Sequence, residues 1–151
     1  MTKNENSRTS NDALLLLASI LHYNKPIPGR TRLQKIIFLL KNLYGIPFSF
    51  SFRPYYYGPY SDELSNLMSF LNAINFTEEK VELIEPGIIR FNYTLTERGK
   101  KYVENVEKNL DKETLEIVEK LKKSIAELSI QDTPTLIAKA KSLMNKEIIL
   151  T

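Results

Sequence analysis

The feature that most constrains the fold is a β-hairpin signal that follows three helical segments. Residues 80–85 and 88–94 are rich in β-branched and aromatic side chains, and Pro86-Gly87 separates them as a two-residue turn. Thr96 then stands where a helix N-cap is expected, directly before Glu97. Strands that return at once to a helix restrict the chain to folds that mix α and β structure.

Three amphipathic helices are predicted ahead of this hairpin. The first begins at Ser10 or Asn11 and ends near Tyr23, before the helix-breaking sequence Pro26-Ile27-Pro28-Gly29. The second covers residues 31–44, and its apolar side chains form one continuous stripe: Leu33, Ile36, Ile37, Leu40, Leu43 and Tyr44. The third is capped by Ser61. Between the second and third helices, residues 48–52 alternate Phe and Ser, which predicts a short half-buried strand.

Helix, helix, short strand, helix and hairpin is the layout of an α+β winged helix-turn-helix domain, with the hairpin as its wing. We assign residues 11–110 to this domain and residues 1–10, which lack any apolar period, to a disordered tail. Residues 111–151 are predicted as a C-terminal helical extension. Its near-heptad stripe packs back on the chain or joins two copies into a homodimer: Leu115, Val118, Leu121, Ile125 and Leu128.

Two separated segments carry a family resemblance. They are Gly29-Arg30-Thr31-Arg32-Leu33-Gln34-Lys35-Ile36-Ile37-Phe38-Leu39-Leu40 and, after Phe50, Tyr57-Gly58-Pro59-Tyr60-Ser61 with Leu64. Together they resemble the YwgA-like family of uncharacterised prokaryotic winged-helix proteins. The helix followed by Tyr-Gly-Pro is also distantly similar to the Panacea domain of antitoxins and phage-associated proteins. Leu95-Thr96-Glu97-Arg98-Gly99 resembles the end of the wing in winged-helix transcription factors. The resemblance implies a fold and a regulatory role, but no established activity.

The composition indicates in which cellular compartment the protein is expected. The chain has no cysteine, which excludes disulfides, thiol catalysis and thiolate zinc sites and fits a reducing cytoplasm. A Cys-free and Trp-free chain rich in Lys, Glu and Ile is also typical of thermophilic, including archaeal, proteins. The apolar run at residues 13–21 is too short to cross a bilayer, and no signal peptide precedes it. We therefore expect a cytoplasmic protein with no membrane contact.

Charge is distributed unevenly along the chain and suggests an anion-binding face. Residues 1–60 hold eight Lys or Arg and two acidic residues, a net +6, whereas residues 61–110 hold six basic and nine acidic residues, a net −3. The first hypothesis is therefore a homodimeric DNA-binding transcriptional regulator. Its predicted phosphate ligands are Arg30, Arg32 and Lys35 at the start of the second helix, with Arg90 on the wing. The alternative is that these residues only solvate exposed helix surface.

The third helix argues against ordinary DNA reading. It occupies the position of a recognition helix, yet it carries Asp62 and Glu63 in its first turn and no basic residue. Ser65 and Asn66 are its only candidate base contacts. The second hypothesis is a winged-helix module that binds a protein, as an adaptor or an antitoxin-like neutraliser. Its candidate contacts are Tyr55, Tyr56, Tyr57 and Tyr60, which otherwise pack the turn between the second and third helices.

Enzymatic activity is not expected. His22 is the only histidine, and without cysteine it cannot complete a usual zinc site. The five glycines form no phosphate-binding loop. Asp62 and Glu63 are adjacent on a helix and do not face each other, which makes them a poor acid–base pair. No cofactor, metal or catalytic residue is predicted.

Overall fold

The computed structural model describes the backbone of residues 2–23 and 25–150 and the side chains of residues 11–23 and 25–146. The described residues form six helices and one three-stranded antiparallel sheet, which is the predicted mixture of α and β structure. The helices are α1 (Thr2–His22), α2 (Arg30–Asn42), α3 (Asp62–Ala73), α4 (Glu97–Glu107), α5 (Lys112–Ser129) and α6 (Thr133–Leu150). Ser10 and Asn11 lie within α1, so the predicted start of the first helix at these residues is wrong. The side chains of residues 1–10 lie outside the described part of the chain, and the predicted disordered tail stays a prediction.

Local sequence signals set the starts of the helices, as predicted for α3 and α4. The Ser61 hydroxyl accepts a hydrogen bond from the Leu64 amide at 3.1 Å, and the Thr96 hydroxyl accepts one from the Gly99 amide at 3.1 Å. Gly99 has a second role, because a Cβ atom there would lie 2.1 Å from the Phe76 carbonyl oxygen. Only glycine therefore allows α4 to approach the chain that leads into the hairpin.

The sheet has the strand order β1-β3-β2, where β1 is Ile27–Pro28, β2 is Thr77–Glu85 and β3 is Ile88–Leu95. The hairpin of β2 and β3 is confirmed, with Val81 opposite Phe91. The two-residue strand β1 was not predicted, because it is too short to show a period. It pairs with the inner half of β3, where Ile27 lies opposite Tyr93, and joins the hairpin to the start of α2.

The predicted strand at residues 48–52 is wrong, although its alternation is real. Phe48 and Phe50 are buried, and Ser49 and Ser51 are exposed. The segment nevertheless has no partner strand. Side chains from helices take the backbone donors instead. The Ser49 amide donates to Asp12 Oδ1 at 3.0 Å, and the Ser51 amide donates to Glu63 Oε1 at 2.8 Å.

Helix α2 is the centre of the molecule. Nine consecutive residues, Arg32–Leu40, are buried, so α2 has a packed surface on all sides and not only along its apolar stripe. α5 and α6 both pack against it, and α5 also packs against α1. Four members of the predicted α5 stripe are buried within the chain, and only Leu115 stays exposed. The C-terminal helices thus complete the core around α2.

Candidate functional site

The start of α2 holds the one predicted phosphate ligand on this helix that reaches solvent. Arg30 has a side chain that is 56% exposed, and its Nε donates to Glu79 Oε1 at 3.0 Å. Its guanidinium also lies 3.9 Å from the centroid of the Phe91 ring. The hydrogen bond to Glu79 raises the pKa of Arg30. Arg30 is therefore accessible, but it already has an anionic and an aromatic partner within the chain.

Arg90 on β3 has a similar environment. Its Nη2 donates to Glu82 Oε2 at 2.9 Å, and Asn92 donates to the same oxygen at 2.8 Å. These hydrogen bonds, led by that of Asn92, lower the pKa of Glu82. The Arg90 side chain also passes Gly29, since a Cβ atom at that glycine would lie 4.0 Å from Arg90 Cγ. Arg30 and Arg90 thus both lie at the α2 N-terminus, each paired with a glutamate.

Arg32 is placed differently from the prediction, because it is only 5% exposed. Its guanidinium donates to the Tyr23 hydroxyl, to Thr133 Oγ1 at 3.1 Å, and to the carbonyls of Ser129 and Gln131 at 3.3 and 2.7 Å. These contacts tie α2 to the turn between α5 and α6. The side chain does not face solvent as the helical stripe suggested, because the C-terminal helices cover that side of α2.

Lys35 is 1% exposed and also lies inside the protein. Its Nζ donates to the Pro59 carbonyl at 2.7 Å. Burial, assisted by the nearby charge of Lys141, lowers the pKa of Lys35 to about 8. Gly58 makes room for this arrangement, because it has φ 98° and a Cβ atom there would lie 3.4 Å from Lys35 Cε and 3.2 Å from Lys141 Cγ.

The two halves of the sequence resemblance contact each other in the structure. Beside Lys35, the side-chain amide of Gln34 donates to the Ser61 carbonyl at 2.9 Å and accepts from the Ser61 amide at 2.8 Å. Gln34 is 4% exposed. The Leu-Gln-Lys segment of α2 is therefore hydrogen-bonded to the backbone of the Gly-Pro-Tyr-Ser segment, and these bonds hold the loop before α3 against α2. From the sequence, Gln34 is recognisable only as part of the motif, and its pairing with Ser61 requires the fold.

Residues 53–60 form a closed loop, here called the tyrosine loop. Arg53 and Tyr60 exchange two backbone hydrogen bonds of 2.8 and 2.9 Å at its base. The Arg53 guanidinium binds both carboxylate oxygens of Asp62, at 2.9 and 3.2 Å, and lies 5.3 Å from the ring centroids of Tyr55 and Tyr60. The Lys35 bond to Pro59 fixes the loop from inside. The loop is thus held at both ends by specific contacts.

Three of the four tyrosines in this loop face solvent. Tyr55, Tyr56 and Tyr57 are 48%, 84% and 58% exposed, whereas Tyr60 is partly buried. The Tyr55 ring lies beside two others, with its centroid 5.4 Å from that of Tyr56 and 5.2 Å from that of Tyr60. The expectation that these tyrosines pack the interhelical turn holds for Tyr60 only. The others are attached to an anchored loop and present their rings outward.

Helix α3 exposes an acidic and polar face. Asp62, Glu63 and Asn66 are exposed and Ser65 is partly buried, while the Asp62 and Glu63 carboxylates already bind Arg53 and the Ser51 amide. His22 Nε2, at the end of α1, lies 3.7 Å from Glu107 Oε1, and burial lowers the pKa of His22. Within the described part of the chain, no three His, Asp or Glu side chains come together as metal ligands would.

The outer half of the hairpin exposes apolar side chains that sequence analysis did not single out. Five of them are 48% to 68% exposed: Val81, Leu83, Ile84, Ile88 and Ile89. They belong to strands whose inner ends are buried, so their β-rich sequence alone does not tell which end is uncovered. Their position beside the Pro86-Gly87 turn could have indicated this exposure, because the tip of a hairpin lies away from the elements that its strand ends join.

Comparisons with known proteins give one informative match. No protein-family profile matches the chain. The uncharacterised protein YwgA of Bacillus subtilis (strain 168) is 33% identical over 81 residues, which is 54% of this chain and 48% of the relative. The chain thus spans about half the length of this curated relative, whose name states no activity. In the described residues no helix has the length and apolar character needed to span a membrane. About half of this chain is therefore similar in sequence to about half of YwgA.

Proposed function

We propose that this protein is a winged-helix protein–protein interaction module, and that the tyrosine loop is its contact surface. The role is binding and involves no catalysis. The winged-helix assignment is supported by the element order α1-β1-α2-α3-β2-β3 and the sheet order β1-β3-β2. In that assignment the hairpin is the wing and α3 has the recognition position.

The exposure of Tyr55, Tyr56 and Tyr57 on an anchored loop is the observation that carries the proposal. Tyrosine supplies a large contact area for only two side-chain torsions, and it is enriched among residues that dominate binding energy. The backbone of the loop is already fixed by the Arg53–Asp62 ion pair and by the Lys35 bond to Pro59. Binding therefore orders few additional degrees of freedom, which favours affinity.

The chemistry of the loop also indicates the kind of partner. The exposed tyrosine rings offer mainly apolar surface, and a phenolic hydroxyl is able to donate one hydrogen bond. A complementary protein offers a concave apolar site with carbonyl or carboxylate oxygens at its border. Of the acidic side chains of α3 beside the loop, Asp62 is paired with the Arg53 guanidinium, whereas Glu63 accepts only from the neutral Ser51 amide and keeps its negative charge.

The predicted phosphate ligands give weaker support to DNA binding. Arg32 and Lys35 are buried and donate to groups within the protein. Arg30 and Arg90 are each paired with a glutamate. A phosphate therefore has to compete with a carboxylate that is already present beside each guanidinium, which weakens the support for a contact.

The test is recovery and reconstitution of a partner. The tagged full-length chain is purified from its native cells, the co-purifying protein is identified, and its affinity for the pure chain is measured by calorimetry. We expect the double variant Tyr56→Ala/Tyr57→Ala to bind at least about 30-fold more weakly, corresponding to roughly 2 kcal/mol. The control Ile130→Ala removes an apolar side chain that is 86% exposed and should bind like the wild type. Equal binding by the tyrosine variant, or no partner that binds the pure chain, contradicts the proposal.

DNA binding is the second candidate, favoured by the position of Arg30 and Arg90 together at the α2 N-terminus. The test is the affinity for random duplex DNA as a function of salt concentration. A DNA-binding protein loses affinity steeply with salt, and Arg30→Ala/Arg90→Ala should then reduce the slope by about two phosphate contacts. Arg98→Ala is the matched control, because Arg98 is exposed on α4. No binding at low ionic strength excludes this candidate.

A further inference from the structure

We infer that the outer edge of β2 is a self-association surface. Two copies of the chain pair their β2 strands antiparallel about a twofold axis, with Val81 opposite the partner's Val81. The hairpins then form one continuous sheet of six strands in the order β1-β3-β2-β2-β3-β1. This interface is separate from the tyrosine loop and does not depend on the proposed function.

The backbone of β2 has the hydrogen-bonding groups for this pairing. The Phe91 carbonyl accepts from the Gly29 amide at 2.7 Å, so Phe91 directs its backbone groups toward the β1 side. Residues of an antiparallel sheet direct N–H and C=O to the same side, and alternate residues face opposite sides. Val81, opposite Phe91, therefore turns its N–H and C=O to the free edge of the sheet. Glu79 and Leu83, two positions away on each side, do the same.

The side chains along this edge are uncovered. Val81 is 63% exposed and Leu83 is 68% exposed. β2 is an edge strand for its whole length of nine residues. Exposed edges with apolar side chains are templates for strand pairing unless a proline, a covering element or facing charges block them. β2 contains no proline, and its charges permit pairing in one register.

Charge selects that register. With Val81 on the twofold axis, Lys80 lies directly opposite the partner's Glu82, and Glu82 lies opposite the partner's Lys80. Oppositely charged cross-strand pairs stabilise a sheet by roughly 0.2–1 kcal/mol each. An axis at Lys80 or at Glu82 instead sets two like charges face to face, and an axis at Glu79 opposes two carboxylates. An axis at Leu83 meets the irregular register between Leu83 and Glu85.

On the face of the paired sheet that carries Val81, the side chains nearest the axis are apolar, and Glu79, opposite the partner's Leu83, binds Arg30 of its own chain. Val81 lies between Phe91 of its own chain and the partner's Val81, and Leu83 lies beside Ile89. Joining the two hairpins removes part of this apolar surface from water. One strand from each copy buries less than the roughly 1,200 Å² of a standard interface, so the dimer is in concentration-dependent equilibrium with the monomer.

Charge reversal with rescue tests the proposal on the full chain by sedimentation velocity over a concentration series. The wild type should shift from monomer to dimer as concentration rises. Lys80→Glu sets a second carboxylate against the partner's Glu82, and Glu82→Lys sets two lysines together, so each variant alone should weaken dimerisation at least about 10-fold. An equimolar mixture of the two variants restores oppositely charged pairs and should form the heterodimer with near wild-type affinity. Lys123→Glu and Glu113→Lys, exposed on α5, are matched controls that should dimerise normally.

Amide hydrogen exchange supplies a second readout. The outward amides of Val81 and Leu83 should exchange more slowly in concentrated than in dilute protein, whereas the Glu82 amide, which faces β3, should change little. A wild type that stays monomeric up to about 1 mM overturns the proposal, because even an association of about −4 kcal/mol is half-populated there. Dimers that survive in both single variants, or a mixture that is not rescued, also overturn it.

Discussion

Helix α2 and the outer hairpin invert the usual relation between polarity and burial. Arg32 and Lys35 on α2 are almost completely buried, whereas Val81 and Leu83 on β2 are more exposed than buried. On α2, two charged side chains are buried together with the apolar stripe, whereas on the outer hairpin apolar side chains are exposed together with charged ones. A charged residue in the sequence therefore does not identify a binding surface, because neighbouring helices and loops can bury its side chain.

The two regions tolerate this inversion for different reasons. Arg32 keeps its charge inside because four oxygen acceptors surround its guanidinium, including the carbonyls at the α5–α6 turn. Lys35 has one carbonyl partner and a lowered pKa. The hairpin requires no such compensation, since exposed apolar side chains only forgo the gain of burial. Polar burial therefore needs specific partners, while apolar exposure leaves a surface open for association.

The largest expected effect is from Arg32→Ala. It removes the contacts between α2 and the α5–α6 turn and leaves the Ser129 and Gln131 carbonyls without their donor, so the free energy of unfolding should fall by about 3 kcal/mol. Arg30→Ala is the matched control on the same helix, because its ion pair is exposed and should contribute less than about 1 kcal/mol. Urea denaturation of both variants measures the difference. Equal losses of unfolding free energy in Arg32→Ala and Arg30→Ala would contradict the prediction that the buried contacts of Arg32 stabilise the fold more than an exposed ion pair does.

An intermediate effect is expected from Lys35 and depends on pH. The pKa of Lys35 is about 8 in the folded chain and 10.5 ordinarily, so between these values the unfolded chain binds more protons. The free energy of unfolding should therefore rise with pH across this window, by roughly 2 kcal/mol between pH 7.5 and pH 10.

The variant Lys35→Met should lack this rise of the unfolding free energy with pH, because it has no ammonium group at this position. The difference in unfolding free energy between wild type and variant, measured at pH 7.5 and at about pH 10, isolates Lys35 from the tyrosines, which titrate in both proteins. Lys123→Met, at an exposed position, should follow the wild type. A constant difference between wild type and Lys35→Met would contradict the burial of an ionisable ammonium at this site.

The smallest effect is expected from the hairpin. In dilute protein, where monomers dominate, Leu83→Ala should change the free energy of unfolding by less than about 0.5 kcal/mol, because the side chain is 68% exposed. Thermal unfolding at low concentration measures this value. A loss above about 1 kcal/mol would mean that Leu83 is packed, and the contrast between the two regions would fail.

Much of the fold was predictable from short segments. The caps at Ser61 and Thr96 and the turn at Pro86-Gly87 lie where the sequence predicted them, because each depends on interactions within a few residues. β1 was missed since two residues carry no period. The strand at residues 48–52 was wrong because its alternation describes burial, whereas a strand also needs a neighbour for its backbone groups.

The candidate site was less predictable. Arg30, Arg90 and three of the tyrosines are accessible, but the surroundings of Arg32 and Lys35 depend on α6 and the tyrosine loop, which are distant in sequence. The pairing of Gln34 with Ser61 explains why the two motif segments occur together, and no single segment reveals it.

The sequence alone predicts the caps at Ser61 and Thr96 and the hairpin, because these features depend on neighbouring residues. The need for glycine at position 99 comes instead from the close approach of the Phe76 carbonyl. Only the tertiary structure decided which charges are buried, which tyrosines reach solvent and which edge of the hairpin is free. This difference arises because the interactions act over different distances along the chain. Hydrogen bonds of caps and turns close over a few residues, whereas burial depends on the elements that pack on each face.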